Sequence, residues 1–369
     1  MDSLFYQLIR VSIGTQETLS RLPSEGEWEE LFEMAVKQSL VGVCFSGLQS
    51  IGADSDEGYV QIGMSEDLFF DWMGMAAQII MRNELVNEQC VELHNRISAE
   101  GLRSCVLKGQ GVATLYGEEL KGFRQSGDID MLVDCDYKRA AKFVSTVTGN
   151  DVKWAYKDMK LDVFENTEVE LHIKPGLMFN PFHNYRCQKW YNDNKVMVFE
   201  GNEDGMFVTP AIEFNLVYIL QHCYMHLFES GVGLRQLMDY YFVLNASQQV
   251  DKSASLKVIG FLGMKRFAAG VMWIMREVFG MSKQLLLCEP NKTEGEFLLN
   301  EIMQGGNFGK YDDRFNTKSS DKKDQMKHFF KRSCLLVGHY PQEALWMPGY
   351  FVWHYIAKNI YILINTLHP

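Results

Sequence analysis

An α+β fold is predicted, with a β-containing centre at 101–205 between helical regions at 1–100 and 206–369. Three observations carry this reading. Apolar residues recur at helical spacing before residue 101 and again after residue 210. Short β-prone runs, stopped by glycine and proline, fill the segment between. The composition over 369 residues, 47% hydrophobic, 13% aromatic and 22% charged, is that of a chain with a sizeable core. At roughly 150 residues per domain, this length allows two or three domains or one composite unit.

The elements follow in order. Trp28, Leu31, Phe32 and Ala35 fall at i, i+3, i+4 and i+7, one face of a helix. A longer helix is expected from about Glu66, where Ile79, Val86, Cys90, Leu93 and Ile97 keep near-heptad spacing. Gly52, Asp54, Ser55, Asp56 and Gly58 mark 51–63 as a loop. In the centre, 104–107 reads as a strand, 112–116 as a short helix and 117–127 as a loop. A strand at 128–133 and a helix at 136–148 follow, the helix stopping at Gly149-Asn150. Strands are expected at 152–156, 160–164 and 168–173, with a turn at 165–167 and a stop at Pro175-Gly176. Beyond Pro210, helices are expected at 212–227, 234–244, 255–279, 295–304 and 325–337, with an aromatic C-terminal segment.

Charge and cysteine usage narrow the function. With 36 basic and 47 acidic residues the net charge is −11, which disfavours a broad nucleic-acid surface; no DNA partner is expected. A small phosphate-bearing substrate held by a few local cations remains compatible. The eight cysteines stand singly, without Cys-x-x-Cys, so neither a zinc ribbon nor a disulfide framework is expected. The opening MDSLFYQLIRVS lacks a positive region before an apolar run, so no signal peptide is expected. The most apolar stretch, 349–367, is interrupted by His354, Lys358, Asn359 and Asn365, so no membrane insertion is expected and the expected compartment is the cytoplasm.

The segment Arg124-Gln125-Ser126-Gly127-Asp128-Ile129-Asp130 is the most informative. Alternate residues of a strand share a face, so Asp128 and Asp130 point the same way, about 7 Å apart. Two carboxylates at that spacing can share Mg²⁺, which takes oxygen ligands from one or two carboxylates plus substrate phosphates. Alone, the pattern also fits a polar strand start. Glu168-Val169-Glu170-Leu171-His172 forms a second acidic strand, with Glu170 and His172 on one face. Glu170 is a candidate third carboxylate of a metal site for in-line phosphoryl transfer. His172 reads first as a hydrogen-bonded structural histidine. Lys108 and Gly109 sit where a strand turns into a helix, a place suited to phosphate. No Gly-Lys-Ser/Thr follows, so this is not a Walker A loop. Arg124 can grip a triphosphate in bidentate fashion or pair with a nearby acid.

Lys-Gly, then Arg-x-x-Gly-Asp-x-Asp, then Glu-x-His, resembles the uncharacterised nucleotidyltransferase family of the polymerase-β-like superfamily. The resemblance is most specific over 107–175 and extends to Ser230-Gly231-Val232-Gly233-Leu234-Arg235-Gln236-Leu237-Met238-Asp239, and to Gly305-Gly306-Asn307-Phe308-Gly309. It spans roughly 91–309. It implies a nucleotidyltransferase-like mixed sheet, Asp128, Asp130 and Glu170 as catalytic acids and metal ligands, and Mg²⁺ or Mn²⁺ as the ion. It also implies that Lys108, Gly109, Arg124 and Gly127 lie near the nucleotide phosphates, and that His172, Arg235 and Asp239 orient substrate. The expected reaction moves an NMP unit from an NTP to an acceptor (small molecule, protein or RNA) with release of pyrophosphate. Two departures stand out: Gln110 follows Gly109 where the superfamily usually has serine or glycine, and the third acid is Glu where Asp is frequent. They leave open a catalytically inactive nucleotide-binding or protein-interaction module on the same fold.

Other patterns read more plainly. His222 and His226 share a helix face at i, i+4, but no glutamate follows the first, so the metalloprotease pattern is absent. Lys318, Lys322, Lys323, Lys327, Lys331 and Arg332 read as a solvated basic face.

Overall fold

A computed structural model describes residues 3–53, 58–150, 152, 156–202, 206–315 and 322–367. Its centre is a four-stranded sheet of β1 (Ser104–Val106), β2 (Ile129–Val133), β3 (Asp158–Lys160) and β4 (Val169–His172), in the order β1-β2-β4-β3. β2 and β4 run parallel, while β1 and β3 flank them antiparallel. A parallel pair needs a crossover connection. Here it contains the helix Tyr137–Thr148, started by the Asp136 side chain accepting from the Arg139 N–H and closed by Gly149 at φ 70°.

The two faces of this sheet bury different things. Ile129, Met131 and Val133 of β2 and Val169 and Leu171 of β4 pack with Val86, Cys90, Leu93 and Ile97 of the long helix Glu66–Ala99 and with Ala140, Phe143 and Val144. The alternate residues face the other way. Cys105, Leu107 and Leu132 join a second core that runs through both helical regions, from Phe5 to Met347. Gln38 ties these regions together, donating to the Ile302 carbonyl at 3.0 Å and accepting from the Leu234 N–H at 3.0 Å. On the same second face lie Asp130, Glu170 and His172. The two-residue period of strands thus divides one pair of strands into an apolar side and a polar side.

Several elements differ from the expectation. The helix expected at 255–279 is two, Lys252–Phe261 and Lys265–Glu277, separated at Gly263, whose φ of +73° is left-handed. The apolar pattern continues on both sides and masks the break. β3 lies at Asp158–Lys160 rather than 160–164, while Phe164 and Thr167 form a bridge across the expected turn. The expected strand at 152–156 falls largely outside the described residues. The expected helix at 112–116 is a four-residue helix, Gln110–Ala113, followed by a 3₁₀ turn, Thr114–Tyr116. The helix Pro181–Asp193 carries only His183, Cys187 and Tyr191 on its buried face. Its signal was at the start, Asn180 as N-cap and Pro181 at the first helical position. Arg332 leaves the expected basic face, is buried and donates to the Leu227 carbonyl at 2.6 Å. Among the described residues, no helix is long and apolar enough to cross a membrane.

Candidate active site

The site is built on the parallel pair. Asp130 and Glu170 are direct partners in the β2–β4 register, as are Leu132 and His172. Carboxylates 40 positions apart in the chain are thereby set side by side on adjacent strands. His172 Nε2 lies 2.8 Å from Asp130 Oδ1 and 3.4 Å from Glu170 Oε2. Lys108 Nζ meets the other Asp130 oxygen at 2.9 Å. Lys108 reaches it because Leu107 N–H donates to the Asp130 carbonyl at 3.0 Å, which carries the end of β1 alongside the acid. The chain then turns at Gly109, whose φ of +58° favours glycine. Gly111 permits a close approach, since a Cβ there would meet the Val106 carbonyl oxygen at 2.4 Å.

The electrostatics follow from this packing. Burial alone would raise the Asp130 carboxyl; the Lys108 charge and the His172 hydrogen bond outweigh it and hold Asp130 well below the usual range. Glu170 is lowered, chiefly by its hydrogen bond to His172. His172 is raised, because its bonds to Asp130 and Glu170 overcome the cost of burial. Asp128, at the mouth of β2, is raised, first by burial and then by the Asp130 charge. Three carboxylates thus crowd one face, and at Asp128 burial and the Asp130 charge outweigh the relief that Lys108 supplies.

Asp130, Glu170 and His172 each offer a ligand atom, all within 4.8 Å of one another, and can hold a metal ion. Asp128 is outside that group but lines the same cleft. The carboxylate oxygens suit a hard divalent cation, with His172 adding a nitrogen donor. These residues therefore fit such an ion.

The cleft has two parts that share Lys108, Asp128, His222 and Phe308. The wider part, about 260 Å³, is lined by Lys157, Glu170, His172, His226 and Tyr350 among others. The narrower part, about 30 Å³, is lined by Gly109, Arg124, Gly127, Asp130, Arg235 and Asp239 among others. The His222 and His226 rings meet edge to face at 4.3 Å, and His226 lies 4.9 Å from Phe308. Burial, with Lys108 nearby, lowers both imidazoles, His226 to about 3. Both are therefore neutral at ordinary pH.

Arg124 does not present a free fork. Its Nε and Nη2 donate to the two Asp239 oxygens at 2.7 and 2.8 Å, and Tyr116 donates to the same carboxylate at 2.6 Å. Asp239 lies four residues after Arg235 on the helix Leu234–Ala246, yet it serves Arg124, 115 positions away. Asn83 adds a second tether, donating to the Gly122 and Arg124 carbonyls, each at 2.6 Å. The loop leading into Asp128 is thereby fastened to the helices Leu234–Ala246 and Glu66–Ala99. Sequence reasoning missed Asn83 and Tyr116, since nothing local marks either as a partner of this loop. Gly127 sits against Arg235, a Cβ there being 3.9 Å from Arg235 Nη1.

With this geometry in place, comparison with known proteins supplies the family. The family model described as "Uncharacterised nucleotidyltransferase" matches residues 24–280, more than two thirds of the chain. The chain belongs to that nucleotidyltransferase family. The match takes in the N-terminal helices from residue 24 and stops before the 305–309 segment, so it begins and ends earlier than the motifs suggested. No curated protein and no solved structure is a significant match to the chain.

Proposed function

We propose that the chain is a divalent-metal-dependent nucleotidyltransferase, moving an NMP unit from an NTP to an acceptor and releasing pyrophosphate. One observation carries this reading: Asp130 and Glu170 stand in register on parallel strands, with Asp128 two residues before Asp130, at a cleft that also holds Lys108. Asp128, Asp130 and Glu170 are the oxygen donors for Mg²⁺ or Mn²⁺, with His172 beside them. When bound, the ion would neutralise phosphate charge and make the acceptor hydroxyl more acidic.

The chain's own residues divide the remaining work. Lys108 is the cation nearest the acids and offsets phosphate charge as it develops on the leaving group. His172 keeps Asp130 oriented and ionised through its 2.8 Å contact. Glu170, kept ionised by His172, can take the proton of the acceptor hydroxyl. Arg124 and Asp239 position Asp128 by fixing the loop before it. The acceptor oxygen bonds to the α-phosphorus, the bond to the bridging oxygen breaks, and pyrophosphate departs. The wider part of the cleft is the place for the acceptor, be it small molecule, protein or RNA.

Pyrophosphate release from α-labelled NTP, with label transferred to an acceptor, tests the reading in Mg²⁺ against chelator. Glu170→Gln is expected to slow transfer by about 100-fold or more, the range for removing a general base. Transfer by the variant at the wild-type rate would refute the assignment. The Lys108–Asp130 ion pair favours a second reading, in which the lysine substitutes for the metal and nucleotide is bound without turnover. Nucleotide binding insensitive to Mg²⁺, with no pyrophosphate released, is its signature.

A further inference from the structure

We propose that Arg235, not Arg124, receives the terminal phosphates of the nucleotide. This rests on the nucleotidyltransferase reading above and specifies how its substrate is held. Both arginines line the narrow part of the cleft, beside Lys108, Gly127 and Asp128. Their surroundings differ. The Arg124 guanidinium spends two N–H groups on Asp239, and its charge is matched there. Arg235 is only 8% exposed, yet no carboxylate pairs with it among the described residues. Its Nη1 donates to the Gln125 carbonyl at 2.8 Å, while its Nε is buried with no acceptor. The guanidinium packs over the Phe308 ring, 5.4 Å from its centroid.

A buried cation with no carboxylate in direct contact is costly, and the cost falls when an anion enters. Burial, with repulsion from Arg124, lowers Arg235 to about 10, and the Asp239 and Asp128 charges, neither of them paired with it, offset this only in part. The ligand class follows from shape and charge. A planar fork matches the oxygens of a phosphate. Lys108 and the Gly109 turn line the same narrow part as Arg235, a second cation and an accessible backbone for phosphate oxygens. Phe308 supports this arrangement at some expense. It is a non-glycine residue at φ +53°, between Asn307, which donates to Ser39 at 2.9 Å, and Gly309. Its ring lines both parts of the cleft and touches both Arg235 and His226. Phosphates at Arg235 and an α-phosphorus near Asp128 and Asp130 place pyrophosphate in the narrow part of the cleft. The acceptor then approaches from the wider part.

Calorimetric titration of the full chain with NTP, NMP and inorganic tripolyphosphate tests this in Mg²⁺. Arg235→Gln is expected to weaken NTP and tripolyphosphate about 10- to 100-fold, the range for hydrogen bonds to a charged group, and to leave NMP unchanged. Arg235→Lys, which keeps the charge and loses the fork, should fall between and serves if Arg235→Gln does not fold. Wild type binding NTP while the variants match its affinity would overturn the inference alone. So would an equal loss for NMP and NTP, which would place Arg235 elsewhere on the ligand. Failure of the folded wild type to bind any NTP would overturn the nucleotidyltransferase reading with it.

Discussion

β2 and β4 carry two surfaces that obey opposite rules. On one, Ile129, Met131, Val133, Val169 and Leu171 are fully buried and apolar, and every neighbour improves the packing. On the other, Asp128, Asp130 and Glu170 gather like charges, and the neighbours Lys108 and His172 relieve only part of the repulsion. The apolar face holds the strands in register so that the acidic face can hold its carboxylates together. Stability and chemistry are separated by a single residue along the chain.

The largest effect is expected where the acidic face is anchored. Asp239→Ala leaves the buried Arg124 charge without its counterion and removes the acceptor of Tyr116. It should cost about 3–5 kcal/mol in chemical denaturation. A loss below 1 kcal/mol would show that the loop before Asp128 is held by other means. Next, Leu171→Ala opens a cavity on the apolar face and should cost about 2–5 kcal/mol, while the protein that remains folded binds nucleotide as before. A change in nucleotide affinity as large as the change in stability would erase the contrast between the faces.

The smallest effect has the opposite sign. The Asp128 carboxyl is raised by burial and by Asp130, so its ionised form is the one the fold disfavours. That penalty operates above the folded-state titration of Asp128 and is absent where it is protonated in both states. Asp128→Asn should therefore raise the Tm at neutral pH in chelator, and the gain should shrink as pH falls through the carboxylate range. A Tm lowered by Asp128→Asn at neutral pH would mean that the carboxylate makes a net favourable contact. A residue whose removal stabilises the fold is one kept for chemistry.

Much of this contrast was legible in the sequence. Asp-x-Asp and Glu-x-His each announce a shared face, because the strand period is local. The helices at 137–148 and 66–99 were legible from their apolar spacing and, for the first, from Asp136 and Gly149. The pairing of Asp130 with Glu170 was not, since register between distant strands is set by the whole core. Nor was the choice between Arg124 and Arg235. Both precede or follow glycine-bearing loops, and only the tertiary fold reveals that Asp239 turns to Arg124. Asn83, set among apolar residues on a long helix, gave no sign that it grips the loop before the acids.

The central claim is that the acidic face holds nucleotide through a divalent ion. Its most direct test is calorimetric titration of each NTP with and without Mg²⁺, for wild type and for Asp128→Ala/Asp130→Ala. Binding by wild type that requires Mg²⁺ and is lost in the folded double variant is the predicted result. Binding that is unchanged by chelator and by the double substitution, or no binding to folded wild type, would contradict it.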